Sequence, residues 1–253
     1  MVFLTGDTHG DFIRFHSSRF PEQQEMTRDD IVIVLGDFGG IWYDCDEEKD
    51  KLNWLEELPF TLCYVDGNHE NFQRYYEGEF EIVDFHGGKA HKVRDNVYHL
   101  MRGHIFDFEG KKFFAMGGAS SHDIDDGILD PASFKSDEEF NEVCSLWSWE
   151  GRMFRVKGLS WWPEEIPSKE EMDFGEKNLR EHNYTVDYVI SHCLPQEVLP
   201  FIHIHDHDDL TLYFNKLLQN GLKFDKWYCG HYHMNTCVMG KFNILYYDIV
   251  RII

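Results

Sequence analysis

The stretch Ile31-Val32-Ile33-Val34-Leu35-Gly36-Asp37 decides how this chain is read. Five apolar residues in a row, four of them β-branched, leave no polar face, so they describe a short strand buried on both sides. The Gly-Asp that follows ends the strand in a turn carrying a carboxylate. Two similar runs, Val2 to Leu4 and Thr61 to Val65, end in Gly6-Asp7-Thr8-His9-Gly10 and Gly67-Asn68-His69-Glu70. Near the other end, Val186 to Ile190 leads into Ser191-His192, and Lys226 to Cys229 leads into Gly230-His231-Tyr232-His233. Helix-like segments alternate with these runs, which predicts an α/β fold. In open α/β sheets ligands gather outside the carboxyl ends of strands, so five polar blocks at five strand ends can converge on one crevice.

Three helices are expected. Asp46 can cap one carrying Leu52, Leu55 and Leu58 before Pro59 stops it. Ser136 with Glu139 has the spacing of a capping box ahead of Phe140, Val143, Cys144 and Trp147. Asp209 can cap a third, with Leu210, Tyr213, Phe214 and Leu217 inward and Asn220-Gly221 at its end. The middle third reads as antiparallel strands, with a hairpin from His104 to Phe108, a Glu109-Gly110 turn, and Lys111 to Ala115. Residues 121 to 168 are acidic, carry Trp147, Trp149, Trp161 and Trp162, and read as an insertion in a single domain spanning 1 to 253. A lid and a packed surface insertion are equally compatible with that stretch.

Composition narrows the function. Hydrophobic residues at 42% and aromatics at 16% suffice for a sizeable core. No apolar run has membrane-spanning length and no signal-peptide pattern opens the chain, so a soluble, cytoplasmic protein is expected. Six dispersed cysteines form no C-x-x-C pair and are expected as free thiols. The formal charge of −22 would repel duplex nucleic acid, because binding its backbone needs clustered Lys and Arg. A phosphorylated substrate stays open, since bound divalent cations reverse the local potential.

Asp, Asn and His are the oxygen and nitrogen donors that hold divalent metals. Taken singly, Gly36-Asp37 is an ordinary turn, Asn68 a residue that tolerates left-handed backbone, and His192 a hydrogen-bonded core histidine. Five blocks in one fixed order make a dinuclear metal site the leading reading.

That order resembles the calcineurin-like metallophosphoesterase superfamily, whose pattern is D-x-H, G-D, G-N-H-D/E, H and G-H-x-H. The likeness runs from Asp7 to His233 with no block missing. It implies a four-layer α/β/β/α sandwich with mixed sheets. It also implies that Asp7, His9 and His233 hold one metal, that Asn68, His192 and His231 hold the other, and that Asp37 bridges. The implied cofactors are two divalent ions, drawn from Mn, Fe, Zn, Co or Ni with Mn first. Such ions, about 4 Å apart, share a hydroxide nucleophile and clamp phosphoryl oxygens during in-line displacement. His69 resembles the family histidine that protonates or stabilises the leaving oxygen.

The implied function is hydrolysis of phosphate esters, first of all monoesters such as phosphoprotein or small metabolites. A phosphodiesterase acting on cyclic nucleotides or nucleic acid, and a non-catalytic module with the same fold, are the alternatives. The Ser/Thr phosphatase branch continues its second block as V-D-R-G, whereas this chain reads Asp37-Phe38-Gly39-Gly40, without that Asp and Arg. Met116-Gly117-Gly118-Ala119-Ser120, Arg152 and Ser160 to Glu165 look like a bacterial and phage subgroup of phosphoesterases. The resemblance offers Arg152 as the phosphate-binding residue, with Arg155 and Arg102 as rivals. His203-Ile204-His205-Asp206-His207 reads as a polar loop before the Asp209 helix, although alternating histidines in an extended segment can also bind metal. No P-loop and no G-x-S-x-G nucleophile motif occurs.

Overall fold

The structure is a computed structural model and describes residues 1–205 and 207–253. Its first half contains β1 (Val2–Thr5), β2 (Ile31–Leu35), α1 (Asp46–Glu56), β3 (Thr61–Val65), α2 (Phe72–Tyr76), β4 (Glu81–Phe85), β5 (Gly88–Arg94), β6 (Val97–Leu100), β7 (Ile105–Phe108) and β8 (Lys111–Met116). There follow β9 (Gly127–Leu129), α3 (Asp137–Trp149), β10 (Phe154–Val156), α4 (Lys169–Glu181), β11 (Tyr188–Ser191), α5 (Asp209–Gln219), β12 (Lys226–Cys229), β13 (Thr236–Val238), β14 (Phe242–Ile244) and β15 (Val250–Arg251). The protein is an α/β protein with two mixed sheets. One has the order β15-β1-β2-β3-β6-β5-β4, the other β13-β14-β12-β11-β8-β7. Parallel pairing runs through β1-β2-β3-β6 in the first and β14-β12-β11-β8 in the second, with antiparallel strands at the edges.

The apolar run in β2 owes its uniformity to two cores. Ile31, Ile33 and Leu35 point into a cluster that also holds Phe106, Phe113 and Ile190 from the second sheet. Val32 and Val34, on the opposite face of the pleat, join Leu52 and Leu55 of α1 together with Phe15, Phe20 and Phe60. On the far side of the second sheet, Phe114, Val189 and Trp227 pack against Leu179 of α4 and Leu210, Phe214 and Leu217 of α5. With both faces of the central strands covered by apolar side chains, their ends are the places left for polar chemistry.

Strands β2, β3 and β12 match their expected spans, and the β7–β8 hairpin turns at Glu109 and Gly110, both at positive φ. Two caps shift by one residue. Cys45, not Asp46, is the N-cap of α1, and Asp46, Glu47 and Glu48 occupy its first turn, where acidic side chains favour the positive helix end. Asp208, not Asp209, caps α5, in a reciprocal box with Thr211. Helix α4 lies outside the three expected helices, and Ser168 and Glu171 form a complete capping box in front of it.

The stretch from 121 to 168 builds a β9–α3–β10 unit whose two short strands pair in parallel apart from both sheets. Ser136 caps α3 as expected, but Phe140, Val143, Cys144 and Trp147 are only half-buried and no residue of α3 is fully covered. The root of the unit is tighter. The Glu165 carboxylate accepts from the Ser121 backbone N–H and hydroxyl, and buried Trp162 meets Trp42 edge-on. No described helix is long and apolar enough to cross a membrane.

Candidate metal centre

The ends of β1, β2, β3, β11 and β12 deliver the five polar blocks to one place. Asp7 Oδ2 lies 3.1 Å from His233 Nε2 and 3.8 Å from His9 Nε2, and the two imidazole nitrogens are 3.1 Å apart. Asp37 faces two ways, with Oδ1 3.3 Å from His192 Nε2 and Oδ2 3.8 Å from His9 Nε2. Asp7, His9 and His233 form one group whose ligand atoms are mutually close, and Asp7, Asp37 and His192 form another. Asp7 is therefore common to both groups, alongside the two-sided Asp37. The His231 ring stands 4.9 Å from that of His192, and its backbone N–H donates to Asp7 Oδ1 at 2.9 Å.

Burial without full hydrogen bonding marks this cluster. Asp7 Oδ2, Asn68 Oδ1 and His192 Nε2 are buried atoms that make no well-aligned hydrogen bond, the first and last facing His233 and Asp37 as ion-pair neighbours. Leaving such atoms unsatisfied costs about 1–3 kcal/mol each, so their concentration in one place signals a missing ligand. His192 Nδ1 is 2.7 Å from the Leu35 carbonyl oxygen, which accepts its proton, and Nε2 faces Asp37 at 3.3 Å, where a bound cation would take the place of the second ring proton. The Asn68 amide is similarly committed, because its NH2 donates to Ser121 Oγ at 3.4 Å and its carbonyl oxygen stays free. Carboxylate, amide and imidazole donors aimed inward fit a divalent cation.

Backbone strain is concentrated here. His9, Asp37, His231 and His233 all adopt positive φ, between 46° and 68°, a region disfavoured for residues with a Cβ. Each costs about 1 kcal/mol or more and persists because the surrounding structure over-determines it. The glycines beside the donors have a steric role. A Cβ on Gly67 would fall 2.1 Å from Asp37 Oδ1, and one on Gly230 would fall 2.2 Å from Asp7 Oδ1. These glycines make room for the donor side chain of a neighbouring block.

Electrostatics follow from two carboxylates buried together. Burial opposes the Asp37 charge, yet His192 beside it holds that carboxyl well below the usual range. Burial likewise opposes a charged His192, but Asp37 and Asp7 outweigh it and lift the ring to about 10. Burial and the His192 charge push His231 down to about 3. One imidazolium thus balances part of the negative charge that a cation would neutralise.

His69 projects beside the cluster, its ring 5.3 Å from that of His9, and its backbone N–H donates to Asp37 Oδ1 at 2.8 Å. Burial depresses its pKa; Asp37 opposes that, and the Arg155 guanidinium adds to it. Glu70, completely buried, fixes the same block by accepting from the Phe38 N–H at 2.7 Å. Burial and nearby Asp37 raise its pKa well above the carboxyl range.

Of the three candidate arginines, the structure brings Arg155 to the site. Its Nη2 is 3.2 Å from His69 Nδ1, and its Nε donates to Asp123 at 2.8 Å. Arg152 lies elsewhere on the insertion, paired with Glu150 and stacked over Trp147, because it follows the exposed end of α3 while Arg155 sits on β10. Arg102 is buried and consumed by Asp66, Glu171 and the Glu164 carbonyl. His203, His205 and His207 are exposed around the turn after Leu199–Ile202, and no described metal-ligand group includes them; Asp206 lies outside the described residues.

Arg14 escaped sequence reading. It is buried and its guanidinium binds the carbonyls of Gly6 and Tyr246 and the Thr5 hydroxyl, bracing the loop that carries Asp7. No local pattern announces such a strut, because its partners include a residue more than two hundred positions away.

Two cavities flank the cluster. One of about 400 Å3 opens on the His9 and His69 side, floored by Gly39 and Gly40 and walled by Trp42, Tyr43 and Arg155. The other, of about 570 Å3, opens on the His231 and His233 side between Ser120 to His122 and the segment around Asp208. No protein-family model and no curated protein matches this chain.

Proposed function

We propose that this chain is a metal-dependent phosphoester hydrolase, built as a four-layer α/β/β/α sandwich of the metallophosphoesterase type. The observation that carries the reading is the set of three buried donor atoms without a well-aligned hydrogen bond, Asp7 Oδ2, Asn68 Oδ1 and His192 Nε2, gathered at strand ends. Asp7, His9 and His233 would hold one divalent ion, Asn68, His192 and His231 the other, and Asp37 both. Two such ions, with Mn the first choice among Mn, Fe, Zn, Co and Ni, supply Lewis-acid stabilisation of phosphoryl charge and activation of water.

The chain's own residues supply the rest. His69 stands at the edge of the cluster with a depressed pKa, which favours a neutral imidazole donating an N–H to the leaving oxygen as the P–O bond breaks. Arg155, 3.2 Å from His69 Nδ1, adds positive charge on the same side. It takes the phosphate-binding part that the resemblance offered to Arg152. Glu70, Arg14 and the Ser121–Glu165 pair orient the loops that carry the donors.

Monoesters of small molecules or phosphoproteins are the first substrate class. A diester reading is favoured by one observation, the second cavity of about 570 Å3 opposite His69, which offers space for another substituent on phosphorus. Metal analysis of purified protein, followed by parallel hydrolysis of p-nitrophenyl phosphate and bis(p-nitrophenyl) phosphate with Mn2+, tests the reading. Two metals per chain and turnover of either ester are expected. Inactivity towards both after Mn2+, Zn2+, Fe2+ and Ni2+ addition would instead indicate a non-catalytic binding module.

A further inference from the structure

The cavity on the His69 side has a chemistry of its own. Trp42 and Tyr43 line it together with the charged Glu47, Glu48, Lys51 and Arg155; Lys51 pairs with Glu47, and Arg155 stands at the His69 end. Neither side is loosely held. The Glu48 carboxylate accepts from the backbone N–H groups of both Trp42 and Tyr43, and Arg74 pairs with Glu48 in turn. The Trp42 carbonyl accepts from the Asn71 amide at 2.7 Å. Its indole rests edge-on against Trp162 of the insertion, with ring centres 5.6 Å apart. Arg155 is gripped by Asp123 through Nε and Nη2.

An aromatic wall and a guanidinium are therefore held in place beside the histidine that faces the leaving oxygen. Aromatic faces and Arg both favour flat π systems over flexible aliphatic chains. A cavity of about 400 Å3 is within the size range of small-molecule sites. We propose that it is a leaving-group subsite, and that it selects esters whose leaving group is a planar aromatic ring stacked on Trp42. The insertion completes the subsite, since Arg155, Asp123 and Trp162 all belong to it. This inference rests on the phosphoester reading above.

Calorimetric binding of phenylphosphonate and methylphosphonate to the Mn2+-loaded protein tests it without turnover. Wild-type protein is expected to bind the phenyl compound more tightly, on the order of 10-fold. Trp42→Ala, and Trp42→Leu as a variant that keeps apolar bulk, are expected to collapse the phenyl-to-methyl ratio towards one. The same variants are expected to lower kcat/KM for phenyl phosphate more than for glycerol 2-phosphate. Equal affinity of wild-type protein for both phosphonates, or equal losses for both esters, overturns the subsite while leaving the hydrolase reading intact. If neither phosphonate binds and neither ester is cleaved, the hydrolase reading falls, and the subsite with it.

Discussion

Two buried polar clusters sit near the end of β3, and they differ in whether their atoms find partners. Asp66 is fully satisfied, with Oδ1 3.0 Å from His99 Nε2 and Oδ2 accepting from Arg102 Nε at 2.9 Å. Arg102 goes on to Glu171 and the Glu164 carbonyl, and His91 Nδ1 lies 3.0 Å from His99 Nδ1. Two residues away, Asn68 leaves its carbonyl oxygen without a hydrogen bond, as do Asp7 and His192 for one atom each. Asp7, Asn68 and His192 are as hidden from water as Asp66. The first closes on itself and joins β3, β6 and α4; the second is incomplete, which is the mark of a site built for something else. Burial of charge alone would not have separated them.

The largest effect expected is at the incomplete cluster. Asp37→Asn keeps an acceptor for the His69 N–H but removes the charge between the two donor sets, and metal affinity is expected to fall on the order of 100-fold. Elemental analysis of the purified variant reads this directly; full metal content would remove Asp37 from the site. His69→Ala, at the same cluster, is expected to lower turnover by roughly 10²- to 10⁴-fold while both metals stay bound. Equal activity in the metal-loaded variant would take His69 out of the mechanism.

Arg102→Leu breaks the complete cluster and leaves Asp66 buried without its main counter-charge. About 3–5 kcal/mol of folding stability is expected to be lost, with or without metal, in denaturant titrations. A loss that appears only in the metal-loaded protein would erase the distinction between the clusters. The smallest effect concerns pH. Burial and neighbouring His99 hold the His91 pKa down to about 3. The unfolded ring takes its proton near 6.5, so stability is full above that value and declines as pH falls towards 3. Between pH 7 and 5 the decline from His91 amounts to about 2 kcal/mol, and His91→Gln is expected to flatten the stability curve by that amount. An unchanged slope in the variant would place the pH dependence elsewhere.

Much of the frame was legible in residue order. Strands β2, β3 and β12 are readable because short, mostly apolar runs bounded by glycine or acidic turns admit few alternatives over so short a length. Helix α4 carries a cap signal at Ser168 and Glu171 but a weak periodic one, since its inward stripe is thin, with Gly175, Glu176 and Leu179 buried. The caps at Cys45 and Asp208 each differ by one residue from the expectation: adjacent Asp208 and Asp209 give the same local signal, and α1 begins behind Cys45 without any side-chain cap. Arg155 rather than Arg152 reaches His69, and three residues of spacing could not choose between them. Their fates depend on where β10 pairs with β9.

Donor chemistry and its place at strand ends were determined by the sequence alone, since residue type and short-range backbone preference are local properties. Which donors share a partner, which remain unsatisfied, and which arginine faces the histidine were decided only by the tertiary structure. Those relations join residues as far apart as His9 and His233. They exist only where the two sheets pack against each other.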